Sequence, residues 1–332
     1  MKEYIKEAIE EFPEDLSKPV TTPASLNLFE TNDECPKLDN NRAELFHRLV
    51  AKMLFVTNRG CPDIQVAVTF LTTRTTKSDE DDWKKLARIL HYLNTALDMV
   101  LTLSALATTI IKWWVDASYA VHKIMHSHTG GCMTLGQGMI KSKSVKQKLN
   151  MKSSTEAELV GASDVSPFII WTKYFLEEQG WNINQNTLFQ DNQSAMQLEQ
   201  NRMLSSSQHT RHINIRYFFI KDIIDKGEMQ VLYCPTERMV ADFFTKPLQG
   251  KIFCTFRDII MGITTDDYKP QERVEKSEFG MVSRTKENND KMNVLNNISN
   301  DLNTANKQKG NTRNDSNEDK ESKPSRNKIQ NN

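Results

Sequence analysis

Over the first hundred residues, apolar positions recur every three to four places. Leu45, Leu49, Met53 and Leu54 predict a helix over Asn41–Thr57. Ile64, Val66, Ala67, Val68 and Leu71 predict a second over Pro62–Thr73, with Asp63 placed to cap it. Trp83, Leu86, Ile89, Leu90 and Leu93 line one face of a third over Asp81–Leu93, and Lys84, Lys85 and Arg88 line the other. Upstream, a short charged helix, Lys2–Glu11, runs into Pro13, and Pro19, Pro23 and Pro36 keep the chain extended.

From Ile110 the period changes to that of strands. Lys112–Ser118 has aromatic and branched residues and neither Gly nor Pro. Alternation puts Trp114, Asp116 and Ser118 on one face and Trp113, Val115 and Ala117 on the other. His128–Gly131 reads as a turn and Cys132–Ile140 as a Gly-punctuated strand. Asn150–Gly180 is helical, with Pro167 expected to kink or split it. Its start carries two competing signals, a Thr155–Glu158 capping box and an earlier Ser153–Glu156 pair. Thr187–Gln190 and Met229–Tyr233 read as strands. Asn192–Gln200, His209–Asp225 and a last Thr236–Thr245, capped by Thr236, read as helices. Such an order predicts a mixed sheet with helices on its faces. The boundaries expected are a mixed segment at 1–40, a helical segment at 41–105, an α/β domain at 110–262, and a tail at 263–332. Gln271–Asn332 is rich in Asn, Lys, Asp and Ser, and too poor in apolar residues to offset the entropy of ordering.

Composition narrows the picture. The 43 Lys and Arg balance 43 Asp and Glu, so overall charge points to no nucleic-acid or membrane partner and local charge has to carry that argument. Five scattered cysteines with no Cys-x-x-Cys pair argue against a disulfide framework and for a reducing compartment. The longest apolar run, Met99–Ile111, is shorter than the about 20 residues a bilayer span needs, and no signal peptide opens the chain. The expectation is a soluble intracellular protein, cytoplasmic or nuclear.

The candidate chemistry is carboxylate chemistry. Asp116 lies within a strand, where a buried charge requires a cation or donors. Asp191 ends a strand just where a helix begins, a common place for ligand sites in α/β sheets. Asp242 sits in the apolar run Met239–Phe244. Glu156 and Glu158 point about 200° apart on a helix. Glu158 shares the more apolar face with Ala162, Val165 and Ile169 and is preferred, although the capping-box role competes. Four carboxylates from separate elements suit a hard divalent cation, and a pair of such ions suits a phosphodiester. Ala117–Thr155 contains no acidic residue but carries Lys123, Lys141, Lys143, Lys146, Lys148 and Lys152, which suggests phosphate contacts beside the site. His122, His126 and His128 with Cys132 have spacings that zinc could use, yet they flank a predicted turn and lack a second ligand pair.

Val115–His122, Ser127–Gly131, Gln147–Leu159, Gln190–Ala195, Thr210–Phe219 and Asp242–Leu248 resemble, in residues and spacing, the ribonuclease H region of copia-type retrotransposon polyproteins. Pro62-Asp63-Ile64, Ala67-Val68 and Trp83 through Leu93 resemble the segment joining polymerase to ribonuclease H there. The resemblance spans roughly residues 41–262. It implies a ribonuclease H-like five-stranded mixed sheet flanked by helices, and hydrolysis of the RNA strand of an RNA–DNA hybrid with two Mg²⁺ or Mn²⁺ ions. By position it implies Asp116, Glu158, Asp191 and Asp242 as metal ligands. Lys141, Lys143, Lys148, Lys152, Asn192, Arg211 and Arg216 are the expected nucleic-acid contacts. No aromatic-x-Asp-Asp polymerase motif occurs, so reverse-transcriptase activity is expected to be absent, and the reverse-transcriptase half of a related element, in trans, is a candidate partner. Cys234–Ala241 has no His, the residue that assists product release in many ribonucleases H. Integrases share this fold and use Asp, Asp and Glu. Asp116, Asp191 and Glu228 approach that spacing, but Glu228 follows Gly227 at a strand start and would leave Asp242 without a role. The other rival is an inactive relic that at most binds nucleic acid; retention of all four carboxylates weighs against it.

Overall fold

The computed structural model describes residues 1–105, 109–200 and 211–263. Four helices come first: α1 (Lys2–Glu10), α2 (Asn40–Arg59), α3 (Gln65–Thr72, after a 3-10 turn at Pro62–Ile64) and α4 (Glu80–Thr95). Asp39 caps α2 by accepting from the Asn41 and Arg42 amides. Asp79 and Asp82 close a reciprocal capping box on α4. Both capping carboxylates are buried, and Arg74 answers them with contacts of 2.8 Å and 2.9 Å. Asp63 does not cap α3. It is buried in the 3-10 turn and accepts from the Tyr92 hydroxyl at 2.6 Å.

The sheet has five strands: β1 (Ile110–Ser118), β2 (His128–Thr134), β3 (Lys141–Lys146), β4 (Gln185–Gln190) and β5 (Gln230–Tyr233). Their order is β3-β2-β1-β4-β5, antiparallel among the first three and parallel from β1 through β5. This is the five-stranded mixed sheet that the resemblance implied. Helices α5 (Ser154–Glu178), α6 (Gln193–Gln200), α7 (Arg211–Asp225) and α8 (Gly250–Ile260) complete the unit.

The alternation in β1 sorts two cores. Trp113, Val115 and Ala117 pack with Leu159, Val160, Val165 and Ile169 of α5 and Tyr217 and Ile220 of α7. Trp114, stacked on Phe189 at 5.2 Å, joins the core built by α2–α4, α8 and the segment around Phe243 and Phe244. The N-terminal helices therefore cover one face of the sheet, and the described residues of both segments fall in one compact unit.

Several local expectations change. Gly130 and Gly131 lie inside β2, not in a turn, paired with Asp116 and Val115. The strand expected over Cys132–Ile140 ends at Thr134, and β3 was hidden among the lysines. Its Lys-Ser-Lys-Ser-Val-Lys run is too polar to look like a strand, but β2 supplies the partner. Ser153 caps helix α5, its hydroxyl accepting from the Glu156 amide, so Thr155–Glu158 is not the cap. It runs through Pro167 unsplit: one backbone bond is lost there, while Val165 and Ile169 remain buried on the same helix. The helix expected over Thr236–Thr245 is two 3-10 turns, Thr236–Arg238 and Val240–Phe244, separated by Met239 at ψ 84°. α8 follows them, unforeseen. Among the described residues no helix is long and apolar enough to cross a membrane. The tail from residue 264 lies outside the described residues.

Candidate functional site

At the carboxyl end of β1, Asp116 meets the start of α5 and the end of β4. Asp116, Glu158 and Asp191 each present a carboxylate oxygen, all within 4.8 Å of one another. Asp116 and Glu158 are buried, at 3% and 5% exposure, and Asp191 is half-buried. Glu156, in contrast, turns back to accept from the Lys152 amide at 2.8 Å. Of the two, Glu158 is the one that lies with Asp116 and Asp191.

Donors orient two of the carboxylates. The Thr245 hydroxyl donates to Asp116 Oδ2, and the Thr236 hydroxyl to Asp191 Oδ2 at 3.1 Å. Asp242, on the second 3-10 turn, is buried but is not one of the three carboxylates that share the 4.8 Å cluster; it binds Lys246 Nζ through Oδ1 at 2.7 Å. The same ammonium lies 3.5 Å from Asp116 Oδ2. Burial, then the Asp116 and Asp191 charges, push the Glu158 carboxyl well above the usual range. Burial and Asp116 raise Asp191 as well, and push Asp242 up to about 7. Burial lowers Lys246, but Asp116 and Asp242 outweigh it and its value rises.

Sequence reading missed Thr245, Lys246, Gln190 and Glu199. Lys246 lies four residues after Asp242, a spacing that could have flagged the pair. The fully buried Gln190 amide lies 3.1 Å from the Glu199 carboxyl, which burial pushes up to about 8.

The expected nucleic-acid contacts divide. Lys141, Lys148 and Lys152 are exposed, and Lys148 follows Gln147, which is tied to Thr129 and to the Ala157 carbonyl. Lys143 donates to the Asp164 carbonyl at 2.9 Å, and Arg216 pairs with the Asp164 carboxylate. Asn192 accepts from the Ala195 amide at the start of α6. The Arg211 side chain lies outside the described residues. Glu228 is held by Lys173 and Tyr174, away from Asp116 and Asp191, which removes the integrase-like triad. The histidines form no zinc site with Cys132. His122 and His128 bond each other at 3.0 Å, His128 reaches Ser144 at 2.8 Å, and burial lowers the two to about 4 and about 3. Among the described residues, Asp116, Glu158 and Asp191 are the set whose carboxylates lie close enough together that they could hold a metal ion.

No family model matches the chain. It is 28% identical over 264 residues to the retrovirus-related Pol polyprotein from transposon TNT 1-94 of Nicotiana tabacum, covering 78% of this chain and 20% of that protein. It is 32% identical over 205 residues to that of transposon RE1 of Arabidopsis thaliana, covering 61% and 14%. To the Ty1-JR2 Gag-Pol polyprotein of Saccharomyces cerevisiae it is 27% identical over 141 residues, covering 42% and 8%. Its homologues are the Pol polyproteins of copia-type transposons. The chain spans a fifth or less of these relatives' length. Among solved structures it is similar to LC11-RNase H1 isolated from compost (12% identity, TM-score 0.31, 41% of this chain and 92% of that one). A second is RNase H1 of the archaeon Halobacterium salinarum NRC-1 (10%, TM-score 0.27, 40% and 89%).

The buried charges imply a pH dependence. Asp242 and Glu199 have folded values, about 7 and about 8, above their unfolded ones of 3.8 and 4.5. The folded chain then holds protons that the unfolded chain has released, so stability falls as pH rises through these windows. The buried His122 and His128 act oppositely below pH 6.5, because only the unfolded chain protonates them there. Between pH 6.5 and 8 the unfolded histidines are at most half protonated, so the acids outweigh them. Metal-free protein is expected to melt at a lower temperature at pH 8 than at pH 6.5. Glu199→Gln should remove about 1.5 kcal/mol of that difference. Equal slopes for wild type and variant would refute it.

Proposed function

We propose that this chain carries a ribonuclease H that hydrolyses the RNA strand of RNA–DNA hybrids with divalent cations. The observation that carries the reading is the convergence of Asp116, Glu158 and Asp191 from three separate elements within 4.8 Å. The donor set fits a hard cation. All the ligating atoms are carboxylate oxygens, and Glu158 Oε2 is buried with no hydrogen-bond partner. Asp116, Glu158 and Asp191 would hold one ion, and Asp116 with Asp242 a second, Mg²⁺ or Mn²⁺. Bound there, divalent ions supply an activated water and neutralise charge developing on the phosphate.

The chain's own groups prepare that site. Thr245 and Thr236 fix the Asp116 and Asp191 carboxylates, and the Ala117 backbone supports Glu158. The exposed Lys148 and Lys152 are offered to the hybrid's phosphates, and Lys141 lies further along the edge strand. A 2′-hydroxyl distinguishes the strand to be cut.

The test is incubation of purified protein with a labelled RNA–DNA hybrid, in Mg²⁺ or in EDTA, beside Asp191→Asn. Cleavage of the RNA strand that needs the metal and is lost in the variant is expected. A folded protein that binds the hybrid without cutting it would mean a binding relic instead.

A further inference from the structure

Lys246 occupies ground that a second ion would need. Its ammonium is 2.7 Å from Asp242 Oδ1 and 3.5 Å from Asp116 Oδ2, and both carboxylates are buried. The Lys246 amide bonds the Asp242 carbonyl at 2.9 Å, so the backbone keeps the pair in register. The Lys246 side chain is 39% exposed, so its four-carbon stem has solvent to swing into. The other half of the cluster differs. Around Asp116, Glu158 and Asp191 no lysine or arginine makes an ion pair other than Lys246, among the described residues, and Glu158 Oε2 has no partner. One half is neutralised from within the protein; the other is open to an ion.

We propose that Lys246 is the internal counter-ion of the Asp116–Asp242 half, and that a divalent cation settling between those carboxylates has to displace its ammonium. The inference rests on the metal-binding reading of the site and adds an order to it. The Asp116–Glu158–Asp191 half fills first. The Asp116–Asp242 half fills at higher concentration, because the incoming ion competes with a tethered cation. Once displaced, the ammonium is a free phosphate ligand beside the reacting group. Lys246 thus positions the Asp116 and Asp242 carboxylates before the ion arrives, which spares two buried like charges from facing each other unscreened.

The experiment needs no nucleic acid. Mn²⁺ is titrated into the full chain, and free Mn²⁺ is counted by electron paramagnetic resonance. Wild type should take up one ion and then a second at least tenfold more weakly. Lys246→Met and Lys246→Gln should each tighten the second step about tenfold, whereas Lys246→Arg, which keeps the charge, should not. Asp191→Asn should weaken the first step while leaving the gain from Lys246→Met intact. Two ions in wild type with an unchanged or weakened second step in both neutral variants would overturn the inference and leave the metal site standing. No Mn²⁺ uptake by any of these proteins would overturn both. Melting curves in EDTA establish that each variant is folded, and the Met and Gln versions guard against one of them failing.

Discussion

With the proposed ribonuclease H activity, Glu158→Gln is expected to slow cleavage of the RNA strand by roughly 10³-fold or more, while Glu156→Gln is expected to leave the rate within about twofold. The two residues are neighbours in sequence but differ in everything that bears on the site. The Glu158 carboxylate is buried beside Asp116 and Asp191, with one oxygen unpartnered. An amide keeps the shape but offers a neutral oxygen and an N–H₂ where a cation would bind, so several kcal/mol of transition-state charge stabilisation are lost. Stability should stay level or rise in Glu158→Gln, because burial and two nearby charges already oppose the ionised form. Glu156 is spent on the Lys152 amide at the helix start. Glutamine keeps an acceptor there and costs about 0.5 kcal/mol through the lost charge at a helix N-terminus. Single-turnover cleavage of a labelled hybrid with matched melting curves reads both. Equal losses of activity in the two variants would sink the assignment.

Gly130→Ala should destabilise the fold by about 3 kcal/mol and weaken metal binding with it. A Cβ at Gly130 would lie 2.6 Å from Thr245 Cγ2, 2.8 Å from the Ala241 carbonyl oxygen and 2.9 Å from Phe244 Cβ. The last two move only if the 3-10 turn Val240–Phe244 moves, and that turn carries Asp242 and leads into Thr245 and Lys246. On strand propensity alone the substitution would be favourable, so the sign itself is informative. Gly131→Ala provides the contrast. Its Cβ would meet Val165 Cγ2 at 3.2 Å and nothing else within 3.4 Å, so a side-chain adjustment suffices and the cost should be under about 1 kcal/mol. Urea unfolding of the two variants separates the cases. A Gly130→Ala protein as stable as wild type would show that the turn does not depend on this close approach.

The local periodicity of the chain was enough to place helices α2 and α4 and to assign the two faces of β1, because burial of one side leaves a repeat of 3.6 or 2 in the sequence. It was also enough to bring Glu158 forward over Glu156, since the apolar stripe of α5 passes through the former. What depends on residues far apart in the chain was not legible. β3 is polar and becomes a strand because β2 offers it a ladder. His128–Gly131 looks like a turn until the Ala241–Thr245 segment packs so closely that only glycine fits beneath it. The N-terminal helices have an ordinary amphipathic pattern, and nothing in it says that their apolar face closes over the Trp114 side of the sheet. The candidate site divides in the same way. Its carboxylates could be picked out as candidates from strand ends and apolar runs, because an unpaired charge in such places stands out, and the resemblance joined them into a set. Their distances, the Thr245 and Thr236 donors and the ammonium of Lys246 between Asp116 and Asp242 exist only once separate elements are packed together.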